Sequence, residues 1–278
     1  MENKWELSSA LFVCPLCGKQ IKASKSSIFC EKGHCYDISK KGYINFVQTR
    51  SMKIYSAELF KNRSLLYSNG FYDKIIETMN LLIVRHICDC NNLVIVDAGC
   101  GEGTFLTRLC NQMGCKKIGF DISKDAILQA SRSSKEILWM VADLVNIPIK
   151  DNSVDVLFNI FTPANYQSFA RILKKNGVLL KVIPGADYLR EIREVSQTLI
   201  NKQRDNEELV VNYLSNYMKI VEKKKVYYKV NVNLEQLQAW IKMTPMMANV
   251  VVDENVLLGI KQVTVDVTIC VCRKLEVE

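Results

Sequence analysis

The sequence predicts an α/β protein: an open, mostly parallel sheet of the doubly wound kind, with a small zinc-binding domain at its N-terminus. Three observations predict it. From residue 93 onward, short β-branched apolar runs alternate with helical stretches, the pattern of strands joined by crossover helices. The first of those runs ends in a glycine-rich turn, Gly99-Cys-Gly-Glu-Gly103, where such sheets bring backbone close to a ligand. Near the start, Cys14, Cys17, Cys30 and His34 stand with two, twelve and three residues between successive members, as two metal knuckles facing across a hairpin require.

The N-terminal elements come first. Thiolates and an imidazole are the ligands of closed tetrahedral zinc sites, and four of them leave no position for a reactive water. The metal is therefore expected to hold a fold rather than do chemistry, because so short a segment buries too little apolar surface to fold alone. Pro15 and Gly18 shape the first knuckle and Gly33 the second; Cys35 is a spare thiol beside His34. Residues 1–63 hold 11 Lys/Arg against 5 Asp/Glu, while the whole 278-residue chain carries a formal charge of +8, so the positive charge concentrates at the front. A basic metal-held head on a near-neutral body fits a polyanion-docking surface, with Lys19, Lys22 and Lys25 as candidate phosphate contacts. Eleven scattered cysteines without a disulfide-like framework point to a reducing, cytoplasmic setting. No apolar run is long enough for a membrane span or a secretory leader, so no membrane partner is expected.

The sheet follows in order. Strands are predicted at 93–98, 117–120, 137–142, 153–160 and 177–183, with helices at 104–113 and 167–174. Further helices are expected near 186–202 and 207–218, then a strand at 225–230, a helix at 234–243 and a closing strand at 263–272. Met218 and the group Met243, Met246 and Met247 read as core or groove filling. The glycines discriminate between nucleotides. A dinucleotide fingerprint starting at Gly99 needs glycine at 104, where Thr104 stands, and no Gly-Lys-Ser/Thr follows the turn. Glycines at the alternate positions 99, 101 and 103 after Val-Asp resemble motif I of class I S-adenosylmethionine (SAM)-dependent methyltransferases, whose reversed seventh strand fits the two closing strands. Asp97, Asp121 and Asp143 end the first three strands. Asp121, 24 residues after Asp97, is placed for both hydroxyls of a ribose. Each of the three acids has an alternative as a turn or helix cap.

Taken together, the chain resembles the 23S rRNA guanine-N1 methyltransferase family over essentially its whole length. The resemblance rests on Cys14-Pro-Leu-Cys17, Cys30 to His34, the Asp37 to Phe46 run with Lys41-Gly-Tyr, and Ser56 to Tyr72. It continues through Val96 to Gly103, Phe161-Thr-Pro163, Val182-Ile-Pro-Gly185 and Met243-Thr-Pro245. It implies zinc on Cys14, Cys17, Cys30 and His34, and SAM against Tyr72, Gly101, Glu102 and the glycine turn. Tyr188 stands where the family can have histidine; an aromatic can still cover the cofactor, but an imidazole hydrogen bond would be altered. Phe158 to Asn165 looks like the form found in Gram-positive bacteria. The implied division is 1–50 for zinc and RNA recognition, 51–90 for a helical cofactor-capping region and 91–278 for the methyltransferase domain, with 23S rRNA as partner and a homodimer left open. Phe161, Thr162, Pro163 and Asn165 are the substrate-side candidates, Phe161 and Pro163 as a platform for an extruded base or as plain packing. No general base is named, since the fourth-strand loop holds no Asp or Glu. Two other readings stay open: a small-molecule methyltransferase with the zinc segment as lid or dimer contact, and a non-catalytic rRNA-binding assembly factor.

Overall fold

The computed structural model describes residues 3–47, 62, 63, 66, 70–89, 91–110, 114–196, 207–243 and 254–275. Most of the Ser56–Tyr72 stretch, Thr244-Pro245, Met246, Met247 and the ends of the helices expected over 104–113 and 186–202 lie outside them, as do residue 50 and residue 90 at the expected domain boundaries.

A 3-10 turn, Glu6–Leu11, opens the chain. Strands β1 (Ile21–Ala23), β2 (Ser27–Cys30) and β3 (Cys35–Asp37) form an antiparallel three-stranded ribbon. Then come β4 (Ile44–Asn45), α1 (Asp73–His86), β5 (Leu93–Ala98), α2 (Thr104–Arg108), β6 (Cys115–Asp121), α3 (Lys124–Ser133), β7 (Leu138–Val141) and β8 (Val154–Ile160). The chain continues with α4 (Tyr166–Ile172), β9 (Leu173–Pro184), α5 (Arg190–Ser196), α6 (Glu207–Ser215), β10 (Met218–Asn231), α7 (Leu234–Met243), α8 (Glu254–Leu258) and β11 (Gln262–Lys274). The main sheet runs β10-β11-β9-β8-β5-β6-β7-β4. All its pairs are parallel except β9-β11 and β11-β10, so β11 is the reversed strand expected of this fold.

The central strands are mostly apolar because both faces are covered. Leu93–Ala98 is buried at every position. One face packs α1 through Ile75, Ile76, Met79, Leu82 and Ile83, together with α2, α3 and α7; the other packs α4 through Tyr166, Phe169 and Ile172, and α6 through Val211 and Leu214. Between β7 and β8 the chain makes no helix. The sheet is covered there by the metal-ligand segment, whose Trp5, Phe12, Ile28, Ile44 and Phe46 share one core with Phe120, Met140, Ile147 and Ile149. Backbone ties fix the junction: β4 adds in parallel to β7, Phe12 bridges Ile149, and the N–H of Val13 donates to Pro148 O at 3.2 Å.

Several boundaries differ from expectation for local reasons. The helix after the glycine turn is cut short: Leu109 is extended and Cys110 has φ +56. The helix expected over 167–174 ends at Ile172 because Leu173 already pairs with Val154. The strand expected over 225–230 runs Met218–Asn231, its outer lysines hiding an edge strand in which Val226 and Tyr228 face the core. Lysines on a free edge also discourage pairing with another chain. Met218 is buried, as its core reading requires.

Candidate active site and metal centre

The metal centre forms from two tight turns. The N–H of Gly18 donates to Cys14 O at 2.8 Å, and the N–H of Gly33 to Cys30 O at 2.9 Å. These knuckles bring the four ligand atoms within 4.8 Å of one another. Cys14 Sγ and Cys30 Sγ each lie 3.4 Å from His34 Nδ1, and Cys17 Sγ is 3.6 Å from Cys30 Sγ. A tetrahedron with Zn–S of about 2.3 Å and Zn–N of about 2.0–2.1 Å has edges of roughly 3.5–3.8 Å, so these three pairs already stand within a few tenths of an ångström of a zinc shell, and the whole set needs to contract by no more than about 1 Å to close it. Tyr36 reaches Cys14 Sγ with its hydroxyl at 3.5 Å, a hydrogen bond in the shell behind the ligands. Lys19, Lys22 and Lys25 are all exposed on this ribbon.

The second site sits at the carboxyl ends of β5 and β6. Asp121 ties the glycine turn to its own strand end, Oδ2 accepting from Gly101 N at 3.0 Å and Oδ1 from Ser123 N at 2.8 Å. Each carboxylate oxygen keeps a lone pair for a ligand. Asp97 and Glu102 are 2% and 4% exposed, and Asp97 Oδ1 and Glu102 Oε2 make no hydrogen bond within the protein. Two buried acceptors without donors at one sheet end are what a donor-bearing ligand would satisfy. Burial, then repulsion from Asp121 and Glu102, pushes the Asp97 carboxyl up to about 8; burial raises Glu102 and Asp121 as well. Gly101 (φ +56) and Gly103 (φ +82) hold the turn in the left-handed region, where a side chain would be strained. Asp143 is exposed at the end of β7 and accepts from Val145 N at 3.0 Å, so it caps the following turn.

Aromatic rings cluster beside the helix that follows the glycine turn. Tyr72 is buried at the start of α1, and its hydroxyl meets that of Tyr188 at 2.7 Å. The Tyr188 ring stacks on Phe161, with centroids 5.3 Å apart. The residue in the possible histidine position thus keeps a polar partner through its phenol. Tyr188 is delivered by the turn after β9, where the Asp187 N–H donates to buried Asp266 Oδ2 at 2.9 Å.

The loop after β8 is anchored by a buried polar group that motif reading did not find. Lys181, 5% exposed in the middle of β9, donates to Asn159 Oδ1 at 2.5 Å and to Thr162 O at 2.6 Å. Asn159 in turn donates from Nδ2 to Thr162 Oγ1 (2.6 Å), Ala98 O and Pro163 O (both 3.0 Å). Burial lowers the Lys181 amine to about 8. This network holds Phe161 at φ +55 and sets Thr162 against Gly99, where a Cβ would come within 2.9 Å of the threonine side chain. The cofactor-side and acceptor-side loops are therefore one connected unit. The hydroxyl of Thr162 is engaged by Ala98 O at 3.2 Å, and Asn165 caps α4 by accepting from Ser168 N at 2.9 Å. Pro163 is exposed and Phe161 half-buried. The available signal for the network was a lysine and an asparagine inside otherwise apolar strands, Leu-Leu-Lys181-Val and Leu-Phe-Asn159-Ile.

The residues fit SAM: an acid at the end of β6 beside a side-chain-free turn, and two buried carboxylate oxygens without a hydrogen bond, suited to a cationic ligand. Comparison with known proteins finds a match for each of the two segments. The family described as RlmA, N-terminal, a zinc ribbon, matches residues 12–51, and the family described as Methyltransferase domain matches residues 95–177. The chain is 35% identical over 275 residues to a Bacillus subtilis (strain 168) protein, YxjB, provisionally named a 23S rRNA (guanine-N1)-methyltransferase, covering 91% of this chain and 98% of that one. It is 28% identical to the 23S rRNA (guanine(748)-N1)-methyltransferase of Streptomyces fradiae, over 94% of this chain and 96% of that protein. Among solved structures, MccD protein aligns with a TM-score of 0.50 at 16% identity over 72% of this chain and 97% of its own, a likeness of fold alone. Identity of 35% over 91% of this chain and 98% of the relative places the chain in the 23S rRNA (guanine-N1)-methyltransferase family, whose members use SAM.

Proposed function

We propose that the chain methylates N1 of a guanosine in a hairpin loop of 23S rRNA, with the zinc ribbon as the part that docks the RNA. The observation that carries this reading is the relatives' coverage: similarity spans ribbon and sheet together, rather than the methyltransferase sheet alone. A small-molecule enzyme has no need of a ribbon built into the sheet's own core, and an assembly factor has no need of an intact glycine turn and its acids.

When bound, SAM supplies an electrophilic methyl group for in-line transfer. The chain's residues do the positioning. Asp121 takes the ribose hydroxyls beside Gly99–Gly103, Asp97 and Glu102 face the cationic parts of the ligand, and Tyr72 and Tyr188 cover it. Asp143 serves the adenine end. The Lys181–Asn159 network fixes the tilt of Phe161–Pro163, so that Phe161, Thr162, Pro163 and Asn165 line the approach of an unpaired guanine. Its N1 proton must leave as charge moves onto O6, and the described acceptor loop offers backbone and hydroxyl dipoles rather than a carboxylate. Residues 1–50 act as the recognition unit, 51–90 cap the cofactor and 91–278 carry the chemistry. No described helix is long and apolar enough to cross a membrane, and the reading places the protein in the cytoplasm. It allows a homodimer, which sedimentation of the purified chain would decide.

The test is direct. Protein, labelled SAM and 23S rRNA are incubated, and the RNA is digested to nucleosides. The expected product is N1-methylguanosine, with none from free guanine or GMP, because those lack the phosphates and loop shape whose binding energy orients N1. Label on N7, N2, a ribose hydroxyl or cytosine, or equal turnover of free guanine, would overturn the reading.

A further inference from the structure

Arg63 lies over the glycine turn. Its Nε is 3.8 Å from Glu102 Oε2, and its Nη1 is 3.1 Å from the point where a Cβ on Gly101 would stand. The absence of that Cβ, at φ +56, is what lets the guanidinium come so close to the backbone. The same charge acts on Asp97, Glu102 and Asp121, drawing all three carboxyls down against the upward push of burial. The arginine side chain is 24% exposed while that of Glu102 is 4% exposed, so the cation stands nearer the surface than the acid beneath it.

We propose that Arg63 binds the carboxylate of the methionyl end of SAM. The inference rests on SAM being the cofactor. SAM presents two cationic groups, sulfonium and ammonium, and one carboxylate. Three acids at the ends of β5 and β6, two of them with a buried oxygen that accepts no hydrogen bond, suit the cations and repel the carboxylate. A site that holds the whole molecule therefore needs a cation at its mouth, and a guanidinium is the group whose planar fork matches a carboxylate with two parallel hydrogen bonds. Arg63 supplies it from the segment ahead of Tyr72, so the cofactor's two ends are gripped by distant parts of the sequence.

The test compares SAM with decarboxylated SAM, which lacks only the carboxylate, by titration calorimetry on the full chain. Wild type should prefer SAM by about ten- to a hundredfold, the range for a charge-assisted pair. Arg63→Gln should weaken SAM by a similar factor, leave decarboxylated SAM unchanged or tighter, and so abolish or reverse the preference; Arg63→Lys should keep part of it. Equal wild-type affinity for the two ligands overturns the proposal and needs no variant. So does an Arg63→Gln chain that binds SAM as tightly as wild type or tighter, which would mean that the arginine only shields the acids until it is displaced. Wild type that binds neither SAM nor S-adenosylhomocysteine would instead overturn the cofactor assignment itself.

Discussion

Trp139 packs beneath the glycine turn, and two glycines make room for it. A Cβ at Gly103 would meet the indole at Cη2, with Cζ3 and Cζ2 at 2.9 and 3.0 Å. At Gly119, on β6, it would meet Cζ3 and, at 2.5 Å, Cε3. The ring is fully buried and held by its Nε1–H on Ser134 O at 3.0 Å, so it has little room to swing away. Gly103→Ala carries two costs: overpacking, about 1–3 kcal/mol, and a left-handed backbone at φ +82, about 1–2 kcal/mol. Gly119→Ala carries the first only, partly offset by about 0.4–1 kcal/mol from a stiffer unfolded chain. At roughly 2–4 °C per kcal/mol for a chain of this size, Gly103→Ala should lower Tm by about 4–20 °C and Gly119→Ala by less. Trp139→Phe trims the ring and separates the two costs. In that background Gly119→Ala should become neutral or stabilising, while Gly103→Ala keeps about 1–2 kcal/mol of backbone strain. Thermal and urea unfolding of the four-member cycles measures this. If Gly103→Ala unfolds with wild type, or if its cost is the same with and without the indole, the packing argument is wrong.

Four further outcomes are expected. With Asp97 pushed up to about 8, a cationic ligand drives its ionisation, so SAM affinity should rise from pH 6 to 9 with proton release; apo stability, by the opposite sign, should fall between about 4 and about 8, where the folded chain binds more protons than the unfolded one. Calorimetry in buffers of differing ionisation enthalpy would read no proton release if that carboxyl stayed ionised. Lys181→Met strands Asn159 Oδ1 and Thr162 O and should cut methyl transfer while leaving SAM affinity within a few-fold, and equal loss of both would mean that the network serves the cofactor side. Charge removal at Lys19, Lys22 and Lys25 should flatten the salt dependence of RNA affinity by roughly 0.7–0.9 in log–log slope for each phosphate that the ribbon no longer neutralises; an unchanged slope puts docking elsewhere. Chelation, or Cys30→Ser, should lower the Tm of the whole chain rather than of a separate N-terminal transition, because Phe12, Ile44 and Phe46 belong to the sheet's core. Two resolved transitions with the later one at the wild-type Tm would contradict that.

Much of this was readable in the residues, and the reason is physical. Metal ligands and glycine turns depend on spacing and on missing side chains, which a sequence displays directly. Cys14, Cys17, Cys30 and His34 converge as spaced, and Gly101 and Gly103 take the positive φ that their positions imply. The end of β5 was legible for the same reason, since six consecutive buried positions leave an apolar run that stops at Asp97. Roles that depend on what a distant strand places alongside were not legible. Lys181 reads as one charge in a strand until β9 sets it beside Asn159 of β8, in a register pairing those same two residues. Arg63 lies inside the Ser56–Tyr72 stretch of the resemblance without being singled out there, and only the packed chain sets it over Gly101. Asn165, a candidate for substrate, is a helix cap, which its place just before the apolar helix Tyr166–Ile172 already permitted.

The ribbon shows the same division between what spacing reveals and what packing decides. Its ligand set was plain, but nothing in the spacing said where it would sit. The missing information is in the link from β7 to β8, residues 142–153, which holds Ile147 and Ile149 but makes no helix. A parallel strand without a crossover helix leaves part of its face uncovered, and such a face must be buried by something. Here Trp5, Phe12, Ile28 and Phe46 cover it, Lys150 N donates to Leu11 O at 2.8 Å, and Asn146 Nδ2 donates to Pro15 O at 2.6 Å, inside the first knuckle. The loop that begins at Asp143 is thus fastened at its other end to the metal turn. A metal here therefore does more than fold the ribbon: by holding Cys14 and Cys17 it keeps the cover on Phe120 and Met140, the strand positions immediately before Asp121 and Val141, and so it supports the sheet end at which Asp121 ties down the glycine turn.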